Sequence, residues 1–482
     1  MSSEDIGDWQ ARTIAEVYGS GDAETQAKTR IRALLAAFDA RFGASKSGDG
    51  DGGHDAQVVH VARAPGRVNL IGEHIDYEGY GVLPMAIAKD VLVAMRQRRD
   101  VDTAAARIIV ANVNSARYAE TSFAADPAQA VDASQHSWAN YFLCAYKGVY
   151  EEAGTALDTS STVGLEVMVS GNVPQGAGLS SSSAFICASS VALMRTLGPS
   201  FDRARVAAFT CTCERYVGVL SGGMDQAISI FAERGVAKYV TFGPVRTEDV
   251  VLPAGFQFVI ADSAAISEKA VSATDCYNAR VLECRLAAVV LAIRAASMQP
   301  DAAREEARTL ADVEAMLGTR LMAIDAAEKL LHADVYSAEE IEKCIGCSLE
   351  DFCDGSKPHL DVVQVRHTLR MRQCPLMVTC AHNYVRIYKK MYSSKAFVLK
   401  QRRRRTCVDR YIRACVYAGC TESRWLQVEG SCIACVSRGE SCIVISTNVH
   451  KEYCLRGRKA RRDYECESRE LCAPVRVQLS GA

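Results

Sequence analysis

The sequence predicts a mixed α/β (α+β) fold shared between two domains. The chain has 482 residues, more than one ordinary domain holds. From about residue 57 onward, β-rich runs alternate with apolar patterns of helical spacing. Polar, glycine-bearing turns separate those runs, where chain reversals are expected. With 49% hydrophobic and 23% charged residues, the chain can bury a sizeable core.

Residues 8 to 43 mix charged and apolar positions at helical spacing, and SKSGDGDGGHDA (45 to 56) reads as a solvated linker. Residues 1–56 are therefore expected to be a helix and flexible linker, with the ordered core starting near Gln57. Two β-rich runs follow, around 58 to 63 and 90 to 96, flanking a Gly- and Pro-punctuated loop. Residues 138 to 154 are helical by pattern. GLEVMVSGNVPQGAGLSSSSAFICASSVALMRTLG gives a strand, a Gly/Ser-rich loop and an apolar helix. A helix is expected around 203 to 217, strands at VAKYVTF and FQFVIADS, and a helix over YNARVLECRLAAVVLAIRAA. No repeat of fixed period is visible.

The net charge of −1 conceals an asymmetry. Residues 1 to 350 carry 31 basic and 45 acidic side chains, and residues 351 to 482 carry 25 and 12. Only 6 of 33 glycines but 12 of 20 cysteines lie after residue 350, so the character of the chain changes there. No apolar run is long enough for a signal peptide or a membrane span, and a soluble, cytoplasmic protein without membrane contact is expected. The cysteines are irregularly spaced in a long chain, which favours reduced thiols. The pairs Cys344/Cys347 and Cys432/Cys435 have the bite of a four-thiolate zinc site, but they fall in a helical and a strand-like pattern. The arginines at 402–405 are basic enough for nucleic acid, yet basic and apolar residues alternate and no binding motif surrounds them, so no nucleic-acid partner is expected.

Three loops carry chemistry. In NVPQGAGLSSSSA (172 to 184), glycines let backbone N–H groups approach an anion ahead of a helix N-terminus. The hydroxyls of residues 180–183 suit Mg2+, which prefers oxygen ligands shared with phosphates. The segment lacks the GK[ST] of a Walker loop and also reads as an ordinary strand-to-helix turn. APGRVNLIGEHIDY (64 to 77) gathers Arg67, Glu73, His74 and Asp76, groups suited to several sugar hydroxyls. Its apolar bracketing argues for a packed loop. In SGGMDQA (221 to 227), Asp225 follows a glycine pair at a helix start, where it reads either as an N-cap or as the base of a phosphoryl transfer.

Together these segments resemble the GHMP small-molecule kinase superfamily and, within it, galactokinases. GRVNLIGEHIDY looks like the galactokinase signature, and VPQGAGLSSSSA is similar to the superfamily phosphate loop. CERYVGVLSGGMDQA and YNARVLECRLAA match eukaryotic galactokinases and N-acetylgalactosamine kinases. The resemblance is close from about residue 58 to 290. It implies a two-domain GHMP kinase fold with the active site in the interdomain cleft, an N-terminal domain over 57–245 and a C-terminal domain over 246–482. It also implies a monomer that uses ATP and Mg2+ on galactose or N-acetylgalactosamine.

Carried over, the resemblance makes Asp225 the base and Arg67 the cation at the transferred phosphoryl group. Glu73, His74, Asp76, Gly222, Gly223 and Tyr277 would hold the sugar. Gly176, Gly178, Ser180, Ser181 and Ser182 would hold the ATP phosphates, with Ser182 and Glu214 on Mg2+. Trp138, with Asn140 and Tyr141, matches a segment beside the family's adenine pocket, although an aromatic opening an amphipathic helix also reads as core. The family's third, glycine-rich motif corresponds to AGCTESRWLQVEGSCIACV (418 to 436), which aligns only on Ser423, Arg424 and residues 430–432. Most of the glycines that permit close backbone approach are missing there.

Overall fold

The computed structural model describes residues 9, 11–44, 58–98, 106–132, 135, 137–159, 162–251, 257–261, 277–318, 320–331 and 336–354, with strand segments at 426–428, 432–434, 442–446 and 475–477. The arginines at 402–405, Ser423, Arg424 and Cys435 lie outside the described residues.

The N-terminal helical pattern resolves into two helices, α1 (Ile14–Tyr18) and α2 (Asp22–Phe42). Thr13 and Glu16 form a reciprocal capping box at the start of α1. Gly19 and Gly21, at φ 86° and 81°, supply the break that an unbroken helix could not contain.

Strand β1 runs from His60 to Ile71 and β2 from Leu83 to Gln97, so the stretch read as a loop from 64 onward is largely strand. The two pair antiparallel with register shifts at Pro65/Arg67 and Asn69/Ile71. Those bulges accommodate the proline, which has no N–H to give a regular ladder. The true loop is residues 72–82.

Two further strands, β3 (Arg107–Asn112) and β4 (Thr121–Ala124), had no counterpart in the sequence reading. Helix α3 (Asn140–Ala153) and strand β5 (Leu165–Gly171) follow. The five strands form one sheet in the order β1-β2-β5-β3-β4, antiparallel except for the β3–β5 pair. Helices α4 (Ser181–Leu197), α5 (Arg203–Glu214) and α6 (Met224–Phe231) come next.

Alternation along the strands sorts the side chains into two cores. Val91, Val93 and Met95 of β2, with Val167 and Val169 of β5, join the main core with α3 and α4. Leu92, Ala94, Ala111 and Met168 face the other way and pack on Leu34 and Phe38 of α2, both fully buried. The ordered core therefore reaches back before Gln57.

Strands β6 (Val236–Thr241) and β7 (Arg246–Val251) form a hairpin whose turn contains residue 245. Strand β8 (Gln257–Ala261) is flanked antiparallel by Cys442–Ser446 and Val475–Val477. Helix α7 (Asn278–Ala295) is the apolar centre of a helical layer with α8 (Pro300–Glu306), α9 (Leu310–Met316) and the helices Arg320–Leu330, Ala338–Ile345 and Leu349–Asp354. Among the described residues no helix is long and apolar enough to cross a membrane. No group of three or more His, Cys, Asp or Glu among them could hold a metal, and Cys344 and Cys347 are free thiols.

Candidate functional site

The site is assembled where the three chemistry-bearing segments meet. Arg67 lies on β1 between its two bulges, and Asp225 lies in the first turn of α6. Arg67 Nε donates to Asp225 Oδ1 at 2.6 Å, and Arg67 Nη1 donates to the Gly178 carbonyl at 2.5 Å. The Arg67 backbone N–H donates to the Leu179 carbonyl at 3.1 Å. One side chain thus joins all three segments. Asp225 and Arg67 are both buried, so their attraction is weakly screened by water. The N-cap of α6 is Gly223 at φ 104°, and Asp225 lies within the first turn rather than at the cap position.

Glycines make this convergence possible. A Cβ at Gly222 would fall on the Tyr77 amide nitrogen and within 2.5 Å of Asp76 Cγ. A Cβ at Gly66 would stand 2.7 Å from the Leu179 carbonyl oxygen. Only a residue without a side chain permits either approach. Asp76 Oδ2 accepts the Met224 N–H at 3.3 Å, which fixes the second loop against the start of α6.

His74 sits at φ 57°, an uncommon conformation for a residue with a side chain, and its Nδ1 lies 3.0 Å from the Tyr77 hydroxyl. Its ring lies 5.3 Å from that of Tyr277, and the Tyr77 ring meets Tyr277 edge-on at 5.8 Å. Burial, then the carboxylates of Asp76 and Asp225, push the Tyr277 phenol well above its ordinary range, so it stays a neutral hydroxyl. Glu73 Oε2 accepts the neighbouring Gly72 N–H at 3.2 Å.

The phosphate-loop candidate turns through Gly176 and Gly178, at φ 70° and 65°, into Ser180 at φ 58°. Ser180 is the N-cap residue of α4, but its side chain makes no capping hydrogen bond and its buried hydroxyl has no hydrogen-bond partner. A buried orphan at a helix start is costly unless a ligand completes it. Ser181 and Ser182 begin α4.

Behind them, Glu214 at the end of α5 is 3% exposed and accepts from Ser183 at 3.2 Å, from Ser221 at 3.4 Å and from Gln226. Tyr141 is hydrogen-bonded to Ser182, and burial, then the Glu214 charge, raises its phenol far above the usual range. Trp138 stacks on Phe185 of α4 at 5.7 Å and donates through Nε1 to the Ala119 carbonyl at 3.0 Å. Asn140 is spent on the Asp132 and Gln135 carbonyls, both at 2.9 Å, which is a scaffold role.

Two residues escaped the sequence reading. Asn69 follows Arg67 by two along β1, on the same side of the strand, and both of its buried amide atoms lack partners. That two-residue spacing was the available signal. Gln226, beside Asp225, is fully buried and ties α6 to Glu214 and Ser183.

Comparison with known proteins reports on the same segments. The Galactokinase galactose-binding signature matches residues 52–97, and the GHMP kinases N terminal domain matches residues 140–233. A galactokinase of Dictyostelium discoideum is 38% identical over 318 residues, covering 64% of this chain and 60% of that protein. The Saccharomyces cerevisiae galactokinase is 38% identical over 254 residues, covering 50% and 47%. A Candida maltosa galactokinase is 42% identical over 180 residues, covering 36% of this chain and 79% of that protein. The solved galactokinase of Lactococcus lactis complexed with galactose is 24% identical, with a TM-score of 0.46, over 61% of this chain and 70% of that one. The chain spans 60% of the Dictyostelium protein and about half of the Saccharomyces protein. Signature, kinase domain and the match to the Candida maltosa protein agree, and the chain belongs to the galactokinase family of GHMP kinases.

Proposed function

We propose that the chain transfers the γ-phosphoryl group of ATP to the anomeric hydroxyl of galactose. The observation that carries this reading is the buried Arg67–Asp225 pair at the junction of three loops. Asp225 takes the proton of the anomeric hydroxyl as the new O–P bond forms and the bond to ADP breaks. Arg67 steadies both the attacking oxygen and the phosphoryl oxygens. Phosphoryl transfer through a loose transition state depends on such positioning and charge neutralisation more than on a strong base.

Asp76, His74, Glu73 and Tyr277 bind the sugar hydroxyls, with Gly222 and Gly223 leaving room for them. Gly176, Gly178 and the hydroxyls of residues 180–182 receive the phosphates, and the unpartnered Ser180 hydroxyl supports that assignment. Trp138 lies on the nucleotide side.

Ser182 and Glu214 offer oxygen donors only, with one carboxylate between them, which suits Mg2+ shared with substrate phosphates. When bound, the ion neutralises phosphate charge.

The test is ADP release by purified protein with galactose, with N-acetylgalactosamine and without sugar. Release with galactose well above the other two is expected. Release with N-acetylgalactosamine alone would reassign the substrate. Galactose binding with no ADP release would make the chain a sugar-binding regulator and overturn the reading.

A further inference from the structure

The loop that carries Asp76 continues into a contact that the transfer chemistry does not use. Glu78 ends the short 3-10 turn Asp76–Glu78 and is 1% exposed. Its Oε2 accepts the backbone N–H of Leu310, the first residue of α9, at 2.8 Å. The neighbouring residues dock on the same helix. Tyr80 donates its hydroxyl to Glu314 Oε2 at 3.0 Å, and a Cβ at Gly79 would lie 3.0 Å from Ala311 Cβ. Three successive residues are therefore seated on α9, although 232 positions separate Glu78 from Leu310.

We propose that Glu78 is a positioning residue for sugar binding, holding Asp76 in place by docking the loop onto α9. The inference rests on the reading of Asp76 as a sugar contact. Asp76 sits two residues from Glu78 within one 3-10 turn, and its own carboxylate is held by Met224 N–H at the other end. The turn is thus fixed from two sides, by α6 through Asp76 and by α9 through Glu78. Release of either side leaves the sugar-facing carboxylate free to shift, and misplacement of about 1 Å is enough to lose productive geometry.

The surroundings of the carboxyl group favour its neutral form. Burial raises its pKa from 4.5 to about 8, and the nearby carboxylates of Asp312 and Asp76 add to the rise. The Leu310 N–H and the Arg285 guanidinium oppose it. The unfolded chain loses this proton near 4.5 and the folded chain near 8, so the native state binds more protons across that interval. Stability from this group is full below pH 4.5 and falls as pH rises towards 8. Above pH 8 the docked loop contains a buried charge with no counter-ion bonded to it in the described contacts, and undocking is favoured.

Galactose affinity read by calorimetry from pH 7 to 9 tests this. Because ionisation of the docked carboxyl weakens docking, galactose affinity in the unaltered chain is expected to fall by up to about tenfold between pH 7 and 9, the apparent affinity following the docked fraction. Glu78→Gln keeps an uncharged acceptor of the same shape. It is expected to bind at pH 7 as the unaltered chain does and to lose the alkaline fall. Glu78→Ala weakens galactose at both pH values while ATP affinity is unchanged. An unaltered chain that binds galactose with no alkaline fall, or a Glu78→Gln chain that keeps the fall, overturns the inference alone. An unaltered chain that binds no galactose overturns the proposed function and this inference with it.

Discussion

Two buried aspartates, Asp90 and Asp225, face arginines that stand four residues apart on the same strand. Arg63 Nε meets Asp90 Oδ2 at 2.6 Å, and Arg67 Nε meets Asp225 Oδ1 at 2.6 Å. By burial and ion pairing the two are alike, yet their surroundings separate them. Asp90 is fully enclosed and also receives the Tyr18 hydroxyl at 2.7 Å and the Arg30 guanidinium, while its backbone N–H donates to Asn172 Oδ1 at 2.7 Å. Those partners come from α1, α2, β1 and the segment after β5, so Asp90 pins the N-terminal helices to the sheet. Asp225 shares its segment with Gly222, which is packed at minimal clearance on Asp76 and Tyr77, and its arginine also holds the Gly178 carbonyl in the loop that contains the orphaned Ser180 hydroxyl. A buried Asp–Arg pair is therefore common to the scaffold and the proposed site, and what sets the latter apart is glycine backbone packed unusually close beside it.

The difference can be broken experimentally, and the largest effect is expected at Asp225. Asp225→Ala should lower turnover by roughly 10²–10⁴, with ATP and galactose still bound, as steady-state rates and calorimetry would record. Near-normal turnover would place the base elsewhere. Asp90→Ala strands two arginines against a buried face and should cost about 3 kcal/mol of stability in urea unfolding, with normal turnover per folded molecule. If Asp90→Ala instead abolished turnover at full stability, the two aspartates would not differ in kind. Gly222→Ala pushes the third loop off Asp76, and a rise in galactose KM of about tenfold is expected with little change in kcat. The smallest effect belongs to Tyr18→Phe, which removes one hydrogen bond to a carboxylate and should cost about 1.5 kcal/mol, visible only in unfolding curves. Burial and the Asp90 charge raise the Tyr18 phenol to about 12, so its stabilisation is full below pH 10 and is lost as pH rises towards 12.

The same pair explains what could be read from the sequence. Arg67, Asp76 and Asp225 each lie within a few residues of glycines in compact segments, and local density of that kind is visible along a chain. Asp90 has its partners at positions 18, 30, 63 and 172, in four segments with nothing in common by pattern, and no local feature announces it. Glu78 was hidden for the same reason, since its partner is Leu310. The extent of β1 was misread because Pro65 and Gly66 ordinarily interrupt strands. Here two bulges absorb them, and Gly66 is needed for the approach to Leu179. β3 and β4 have only brief alternation, and β3 gains its place by parallel pairing with β5, which no neighbouring residue dictates. The helices α4 and α7, long and strongly apolar, were the most legible elements.

The second, smaller core beneath α2 bears on where this protein begins as a folding unit. The family signature starts at residue 52, and a chain cut back to that point would retain every residue assigned here to catalysis. It would also lay bare Leu92, Ala94, Ala111 and Met168, a contiguous apolar sheet face that Leu34 and Phe38 now cover. Such a face invites association between copies. The Asp90 carboxylate, deprived of Tyr18 and Arg30, would keep Arg63 as its ion-pair partner among the described residues. The proposed chemistry thus draws on less of the chain than the second core does, and α2 serves as the cover of that sheet face.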